Sequence, residues 1–159
     1  MSLAVLYPRV ASLGAYRPQD FAAIADLWVA AWKTTEFAID FEARRDWLDH
    51  HLASLARAGV RIRIARDGAG KPIGFVSIDP ASGYLDQLCV APEAFGTGVA
   101  RALVREAMRL SPGLVELDVN EANARAVRFY RREGFRAVTK GLSAASGLPT
   151  IRMRWDAAA

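Results

Sequence analysis

The sequence predicts an α/β (α+β) fold in which a mixed, mostly antiparallel and twisted sheet of about seven strands is flanked by about four helices. One observation is that hydrophobic periodicity changes repeatedly between about 3.6 and two along the chain. The other is the order of the segments: a strand, two helices, three strands, a helix, a strand, a helix and two strands. Consecutive strands favour an antiparallel meander, and alternating strands and helices favour right-handed crossovers with helices on both faces of the sheet.

The N-terminal half contains a short strand and two helices. The strand is predicted over residues 15–17, and Pro18-Gln19-Asp20 then leads into the first helix, since proline suits a first helical turn. Apolar residues recur at helical spacing over 21–32 and again over 41–57. Gly59 ends the second helix.

The middle of the chain changes to a period of two. Residues 60–65 alternate apolar and charged side chains, which predicts a half-buried strand. The turn Asp67-Gly68-Ala69-Gly70 connects it to a returning strand over 72–78. A third strand is predicted over 84–90.

The C-terminal part repeats a strand–helix pattern. Pro112-Gly113 separates its first helix from the next strand. The predicted elements are a helix over about 98–110, a strand over 114–119, a helix over 123–133, and strands over 135–138 and 148–155.

Length and composition favour one globular domain over 1–159, with an N-terminal extension at 1–13 and a core at about 14–156. The chain is 52% hydrophobic and 24% charged, and no apolar run approaches the roughly 20 residues of a membrane helix. Pro8 and Arg9 interrupt the apolar N-terminal stretch, so we expect no secretory signal. Cys89 is the single cysteine, which excludes an internal disulfide and fits the reducing cytoplasm.

The net charge of +4 raises the question of nucleic-acid binding. The arginines are spread along the chain, with short pairs at 44–45 and 131–132, and no basic run contains interleaved aromatic residues. A solvated surface is therefore the preferred interpretation, with neither nucleic acid nor membrane as a partner. We expect no metal site either, because the adjacent His50 and His51 cannot share one helix face.

A glycine-rich turn joins a strand to a helix near the middle of the chain. Gly96, Thr97 and Gly98 leave little side-chain bulk over the first N–H groups of the helix, which have no partner within it. Such a helix start can hold a diphosphate, and the Thr97 hydroxyl is a possible further donor. The spacing is that of neither a Walker A loop nor a dinucleotide fingerprint. From this stretch alone, phosphate binding and an ordinary helix start remain equally possible.

A second pattern covers the last predicted helix. Asn123 stands where it can cap the helix, and Asn123, Ala126 and Tyr130 share one face. The small Ala126 leaves room for a ligand beside the phenol of Tyr130. Gly134 suits the C-terminal end of the helix, and Phe135 begins the next strand.

These two patterns together resemble the GNAT superfamily of acetyl-CoA-dependent N-acetyltransferases. Val90-x-Pro92 followed by Gly96-x-Gly98-x-Ala100 is similar to the family's pyrophosphate motif, and Asn123-x-x-Ala126-x-x-x-Tyr130-x-x-x-Gly134-Phe135 to its second cofactor motif. The resemblance extends over about 16–155, since the order of elements agrees as well. The chain departs from the family at Phe95, where the family usually has Gln or Arg.

The resemblance implies acetyl-CoA as cosubstrate, no metal, and specific residue roles. The backbone of Leu88 and Val90 would pair with the pantetheine arm, with Cys89 between them, and the Val90 N–H would polarise the thioester carbonyl. Asn123 would bond the pantetheine amide, and Tyr130 would protonate the departing thiolate. The other cofactor-binding residues expected are Phe95, Gly96, Thr97, Gly98, Val99, Ala100, Arg101 and Ala126.

The acceptor would be a primary amine that attacks directly in a ternary complex. The amine must first lose a proton. Asp118 is the best-placed base, ahead of Glu116, and Asp86 should point the same way as Leu88 and Val90. Alternation turns Cys89 away from that side, which disfavours a covalent acetyl-enzyme. Expected acceptor contacts are Trp32, Phe37, Asp40 and Asp86. A non-catalytic acyl-CoA-binding module is the alternative, and monomer and homodimer both remain open.

Overall fold

The structure, a computed structural model, describes residues 9–158. The predicted order of elements is confirmed, while most of the predicted N-terminal extension, 1–13, lies outside the described residues. In chain order the elements are β1 (Ser12–Ala15), α1 (Phe21–Trp32), α2 (Arg45–Arg57), β2 (Arg61–Arg66), β3 (Pro72–Ile78), β4 (Leu85–Val90), α3 (Val99–Leu110), β5 (Leu114–Asn120), α4 (Ala124–Arg132), β6 (Arg136–Leu142) and β7 (Pro149–Asp156).

Two strands differ from their predicted bounds. β1 lies at Ser12–Ala15 rather than 15–17, because pairing with β2 begins earlier and Pro18 starts a 3-10 turn directly afterwards. β6 extends to Leu142 instead of ending at 138. All seven of its residues are exposed and a bulge interrupts its pairing with β7 after Ala137, so hydrophobic alternation does not mark its length.

The seven strands form two antiparallel sheets, in the orders β1-β2-β3-β4 and β5-β7-β6. This confirms the predicted fold class and adds that the sheet is divided in the middle. Where β4 and β5 meet, a parallel bridge joins Tyr84 to Glu116, and the Glu116 N–H donates to the Gly83 carbonyl at 2.8 Å. Beyond this bridge the two strands are not paired. Backbone groups that face the gap between them are therefore accessible to a ligand.

Helices cover both faces of the first sheet, as predicted. α1 and α2 bury Ile24, Leu48 and Leu52 against one face. α3 buries Leu103 on the other face, in a core that continues through β5 and α4. Gly74 of β3 makes this packing possible: a Cβ there would lie 2.9 Å from both the Cys89 carbonyl oxygen and the Leu103 Cδ1. α3 therefore begins close to the end of β4, at the mouth of the gap between the sheets.

Candidate active site

A cleft of about 810 Å³ occupies the gap between the two sheets. Its walls are the end of β4, the loop before α3 with the first turn of that helix, α4 along its length, and the loop after α1. Most of the residues expected to bind cofactor or acceptor line it: Trp32, Phe37, Leu88, Cys89, Val90, Phe95, Gly96, Gly98, Val99, Ala100, Arg101, Asn123, Ala126 and Tyr130.

The loop before α3 presents a row of unpaired backbone N–H groups to this cleft. The first bond into α3 runs from the Ala102 N–H to the Gly98 carbonyl, so the amides just before it have no helical partner. No acceptor within the described residues takes them up. The free amides belong to Gly96, Gly98, Val99, Ala100 and Arg101.

Glycine is required at two positions of this loop. Gly96 and Gly98 have φ values of +76° and +89°, a left-handed conformation that side chains with a Cβ rarely adopt. A Cβ built on either meets no atom within 4 Å, so both face open space. Open space beside unpaired amides at a helix N-terminus fits a diphosphate group.

Thr97 differs from its expected role. Its N–H and its hydroxyl both donate to the Ala94 carbonyl, at 3.3 and 2.5 Å, and Thr97 is not among the residues that line the cleft. Thr97 therefore fixes the turn, and the Arg101 amide takes the place expected for the Thr97 amide in the row of free donors.

The edge of β4 supplies a second set of free backbone groups. The Ala91 N–H donates to the Ile73 carbonyl at 2.9 Å, and hydrogen-bonded positions alternate along an antiparallel pair. Leu88 and Val90 consequently turn their N–H and C=O groups away from β3. Because β4 is the last strand of its sheet, those groups face the cleft, in the manner of an edge strand awaiting a partner.

Asp86 points to the side opposite the expected one, because β4 contains a bulge at this residue. Ser77 pairs with Gln87 and Ile78 with Leu85, which leaves Asp86 as an extra residue and shifts the alternation. Asp86 lies on the α2 side, where its carboxylate is 2.5 Å from His51 Nε2. It does not line the cleft with Leu88 and Val90, contrary to expectation.

α4 places Asn123, Ala126 and Tyr130 along the opposite wall. Asn123 caps the helix, as predicted, by accepting the Ala126 N–H at 3.2 Å. The capping bond uses the side-chain oxygen, so the Asn123 amide nitrogen keeps its donors for a ligand. Ala126 is half-buried beneath the cleft.

Tyr130 lies at the base of the cleft. Its ring packs edge-on against Phe129 and Phe135, with centroids 5.2 and 5.4 Å apart. No described residue hydrogen-bonds its hydroxyl. Burial is the main cause that raises the pKa of Tyr130 above its usual value, with a smaller contribution from Cys89. The phenol therefore holds its proton firmly.

Cys89 shares the cleft wall but is not suited to nucleophilic attack. It packs with α1 and α2 on the face opposite Leu88, as alternation predicted. Burial raises the pKa of the Cys89 thiol to about 12. The thiolate needed for a covalent step is therefore absent at neutral pH.

Asp118 lies away from the cleft, on the open face of the second sheet. Arg152 donates to both of its oxygens, at 3.0 and 2.8 Å, and the Tyr84 hydroxyl donates at 3.0 Å. The hydrogen bonds from Arg152 are the main cause that lowers the pKa of Asp118. These partners occupy the carboxylate expected to act as the base, and a lowered pKa makes it a weaker one.

Two of the residues expected to contact the acceptor, Trp32 and Phe37, line the cleft. Asp40 does not, and its carboxylate instead accepts the Ala43 N–H at 3.1 Å, at the 3-10 turn before α2. Glu36 is the acidic residue of this loop that does line the cleft.

The sequence interpretation also missed cleft residues on the cofactor side. Arg125 and Arg132 of α4 line the cleft, and Arg125 precedes Ala126 within the recognised motif. The available signal for Arg125 was its place between Asn123 and Ala126 in the motif. Arg132 lies two residues after Tyr130, so helical spacing gave no signal for it. Among the described residues, no helix is long and apolar enough to cross a membrane, and no cluster of three or more potential metal ligands occurs.

Sequence comparison finds relatives that are named as N-acetyltransferases. Peptidyl-lysine N-acetyltransferase YjaB of Escherichia coli (strain K12) is 29% identical over 128 residues, which is 80% of this chain and 83% of that protein. The Salmonella typhimurium protein of the same name is 38% identical over 66 residues, or 42% of this chain and 43% of that protein.

Solved structures share the fold. A GCN5-related N-acetyltransferase from Rhodopseudomonas palustris superposes with a TM-score of 0.76 at 24% identity, covering 94% of this chain and 97% of that chain. The paia N-acetyltransferase of Thermoplasma acidophilum, solved in complex with coenzyme A, gives a TM-score of 0.77 at 16% identity, covering 91% and 98%. At these identities the likeness establishes the fold alone.

Fold, cleft and relatives together define an acyltransferase. The sequence model of the Acetyltransferase (GNAT) family matches residues 21–135, which include the cleft-lining strand β4, the loop before α3 and the whole of α4. The chain belongs to the acetyltransferase (GNAT) family.

Proposed function

We propose that this protein transfers an acetyl group from acetyl-CoA to a primary amine by direct attack in a ternary complex. The observation that supports this most is the arrangement of three donor sets along one cleft. Free amides stand before α3, the free edge of β4 follows, and the Tyr130 phenol lies at the base. Together they match a cosubstrate with a diphosphate, an extended amide-bearing arm and a thioester.

The amides of Gly96, Gly98, Val99, Ala100 and Arg101 would hold the diphosphate. Leu88 and Val90 would pair with the extended arm as a neighbouring strand does. The Val90 N–H would donate to the carbonyl oxygen on which negative charge develops. Acetyl-CoA, when bound, supplies an acetyl group activated as a thioester.

Tyr130 would act as the general acid. It holds a proton at its phenolic oxygen, and burial keeps that proton in place at neutral pH. The proton would be given up to the sulfur as the bond to the acetyl carbon breaks, so that a thiol and not a thiolate leaves.

Two carboxylates are candidates to take the proton from the amine. Asp118 is the one expected from the sequence, but Arg152 holds both of its oxygens. Glu36 lines the cleft on the acceptor side and has no ion-pair partner among the described residues. We therefore favour Glu36, acting directly or through water.

The acceptor class that we propose is a lysine side chain of a peptide or protein. The support is the name of the E. coli and Salmonella relatives, together with an apolar wall of Trp32 and Phe37 that suits a lysine stem and Glu36 that suits its ammonium end. A small-molecule amine is the competing class.

A thiol-release assay with acetyl-CoA tests the proposal. We expect turnover with a lysine-containing peptide whose N-terminus is blocked, and none with the same blocked peptide carrying N-acetyl-lysine. Binding of acetyl-CoA without thiol release for peptides, polyamines or free amino acids would favour the non-catalytic alternative. Thiol release with a polyamine but not with peptides would contradict the lysine acceptor and would still support acetyl transfer to a primary amine.

A further inference from the structure

Phe95 and Arg125 face each other across the mouth of the cleft. Phe95 immediately precedes the glycine loop, and Arg125 lies in the first turn of α4. The Arg125 guanidinium carbon lies 3.7 Å from the centroid of the Phe95 ring. Stacking of this kind is a cation–π contact, and it fixes the plane of the guanidinium while leaving its edge N–H groups free.

Arg125 differs from the other arginine that borders the loop. Arg101 is engaged by Glu133, with its Nε 3.6 Å from a carboxylate oxygen. Within residues 9–158, Arg125 forms no ion pair and donates no hydrogen bond, although it lines the cleft. Its charge and donors are therefore directed at solvent beside a loop that already presents free amides.

We propose that Arg125 is a phosphate-binding residue of this enzyme, held in place by Phe95. The inference rests on the proposed use of acetyl-CoA. Phe95 borders the loop with an apolar ring that has no hydrogen-bond donor of its own. The stacked Arg125 brings donors to the loop from the opposite wall, so the two residues act as a pair.

Coenzyme A offers two phosphate groups to such a residue, the diphosphate and the 3′-phosphate of the ribose. Under the proposed function the free amides of the loop would serve the diphosphate, so the 3′-phosphate is the group with fewer partners. Comparing coenzyme A with 3′-dephospho-coenzyme A distinguishes the two sources.

The test is isothermal titration calorimetry with coenzyme A on the full chain. We expect Arg125→Ala to raise the Kd about tenfold or more, as loss of a charge-assisted hydrogen bond does. Phe95→Ala should raise the Kd by a smaller factor. In the Arg125→Ala background, the Phe95 substitution should have almost no further effect, because Phe95 acts through Arg125.

Arg128→Ala is the matched control. Arg128 lies on the same helix, is exposed, and does not line the cleft, so its removal changes the net charge equally. We expect its Kd to equal that of the wild type. With 3′-dephospho-coenzyme A, the Arg125 effect should vanish if the 3′-phosphate is the partner and persist if the diphosphate is.

Equal Kd values for wild type and Arg125→Ala with both ligands would overturn the inference. Equal losses of coenzyme A affinity in Arg125→Ala and Arg128→Ala would overturn it as well. If the wild type binds and turns over normally while Arg125→Ala does the same, the proposed function stands and only this inference falls. Failure of the wild type to bind coenzyme A would overturn both.

Discussion

The substitution Tyr130→Phe removes the proposed general acid and keeps the aromatic ring, so it separates the catalytic role of Tyr130 from its packing role. The aromatic ring contributes the packing, through its contacts with Phe129 and Phe135. The hydroxyl has no partner among the described residues, so Tyr130→Phe should change the free energy of unfolding by less than about 1 kcal/mol. Loss of a general acid typically lowers the rate about 10²–10⁴-fold, which is about 3–5 kcal/mol in the barrier.

The measurement is kcat from thiol release at saturating acetyl-CoA, with the Kd for coenzyme A determined in parallel. We expect kcat to fall by at least about 10², with Kd and melting temperature nearly unchanged. Tyr84→Phe is the matched control, because Tyr84 donates to Asp118 outside the cleft. That variant should lose some stability and retain its turnover.

The pH dependence provides an independent check. Because burial raises the pKa of Tyr130, its phenol stays protonated at pH values where an exposed tyrosine, with a pKa of about 10, would ionise. The wild-type rate should therefore rise with pH as the acceptor amine loses its proton, with no falling limb below about pH 10. Unchanged kcat in Tyr130→Phe, or a falling limb that the variant abolishes below pH 9, would refute the assignment of Tyr130 as acid.

Three further substitutions test the site and its scaffold. Gly98→Glu should abolish coenzyme A binding, because it puts a carboxylate into the open space beside the free amides and forces a Cβ onto a φ of +89°; wild-type affinity by calorimetry would refute the placement of the diphosphate. Asp118→Asn should leave kcat within about twofold if Asp118 is not the base, since general-base loss costs about 10² or more. Because Arg152 lowers the Asp118 pKa, the stabilising contribution of this pair is fully present above the ordinary Asp pKa of about 4 and is lost as pH falls from there through the lowered pKa. The difference in urea midpoint between wild type and Asp118→Asn should therefore be largest at pH 7 and shrink as pH falls below about 4. Gly74→Ala should destabilise the fold by about 1–3 kcal/mol through overpacking against Leu103, measured as a lower thermal midpoint, and an unchanged midpoint would show that α3 can shift at no cost.

Local features of the fold and site could be predicted from the sequence. The loop before α3 and the motif on α4 are each contiguous stretches in which a helix start, two glycines and a helix face lie within a few residues of one another. Their geometry follows from backbone conformation and helical spacing, which require no knowledge of distant contacts. The Asn123 cap and the turn of Cys89 toward α1 were predictable for the same reason.

Features that depend on register between strands could not be predicted in this way. The bulge at Asp86 is one extra residue in β4, and it reverses the side on which that carboxylate lies. The ion pair of Asp118 with Arg152 joins residues 34 positions apart, and only the pairing of β5 with β7 brings them together. The exposed strand β6 has no hydrophobic alternation from which its length could be read.

The division of the sheet has a consequence for how the protein holds together. In the described part of the chain, one parallel bridge, between Tyr84 and Glu116, is the backbone pairing between the two sheets, so the boundary between them depends mainly on side-chain packing. A ligand lying along that boundary would act as a substitute strand and fasten one half to the other. A free ligand concentration of a hundred times the Kd adds about 2.7 kcal/mol to the free energy of unfolding. In a cell rich in the cosubstrate, the ligand-bound enzyme would therefore be the form that resists opening and proteolysis.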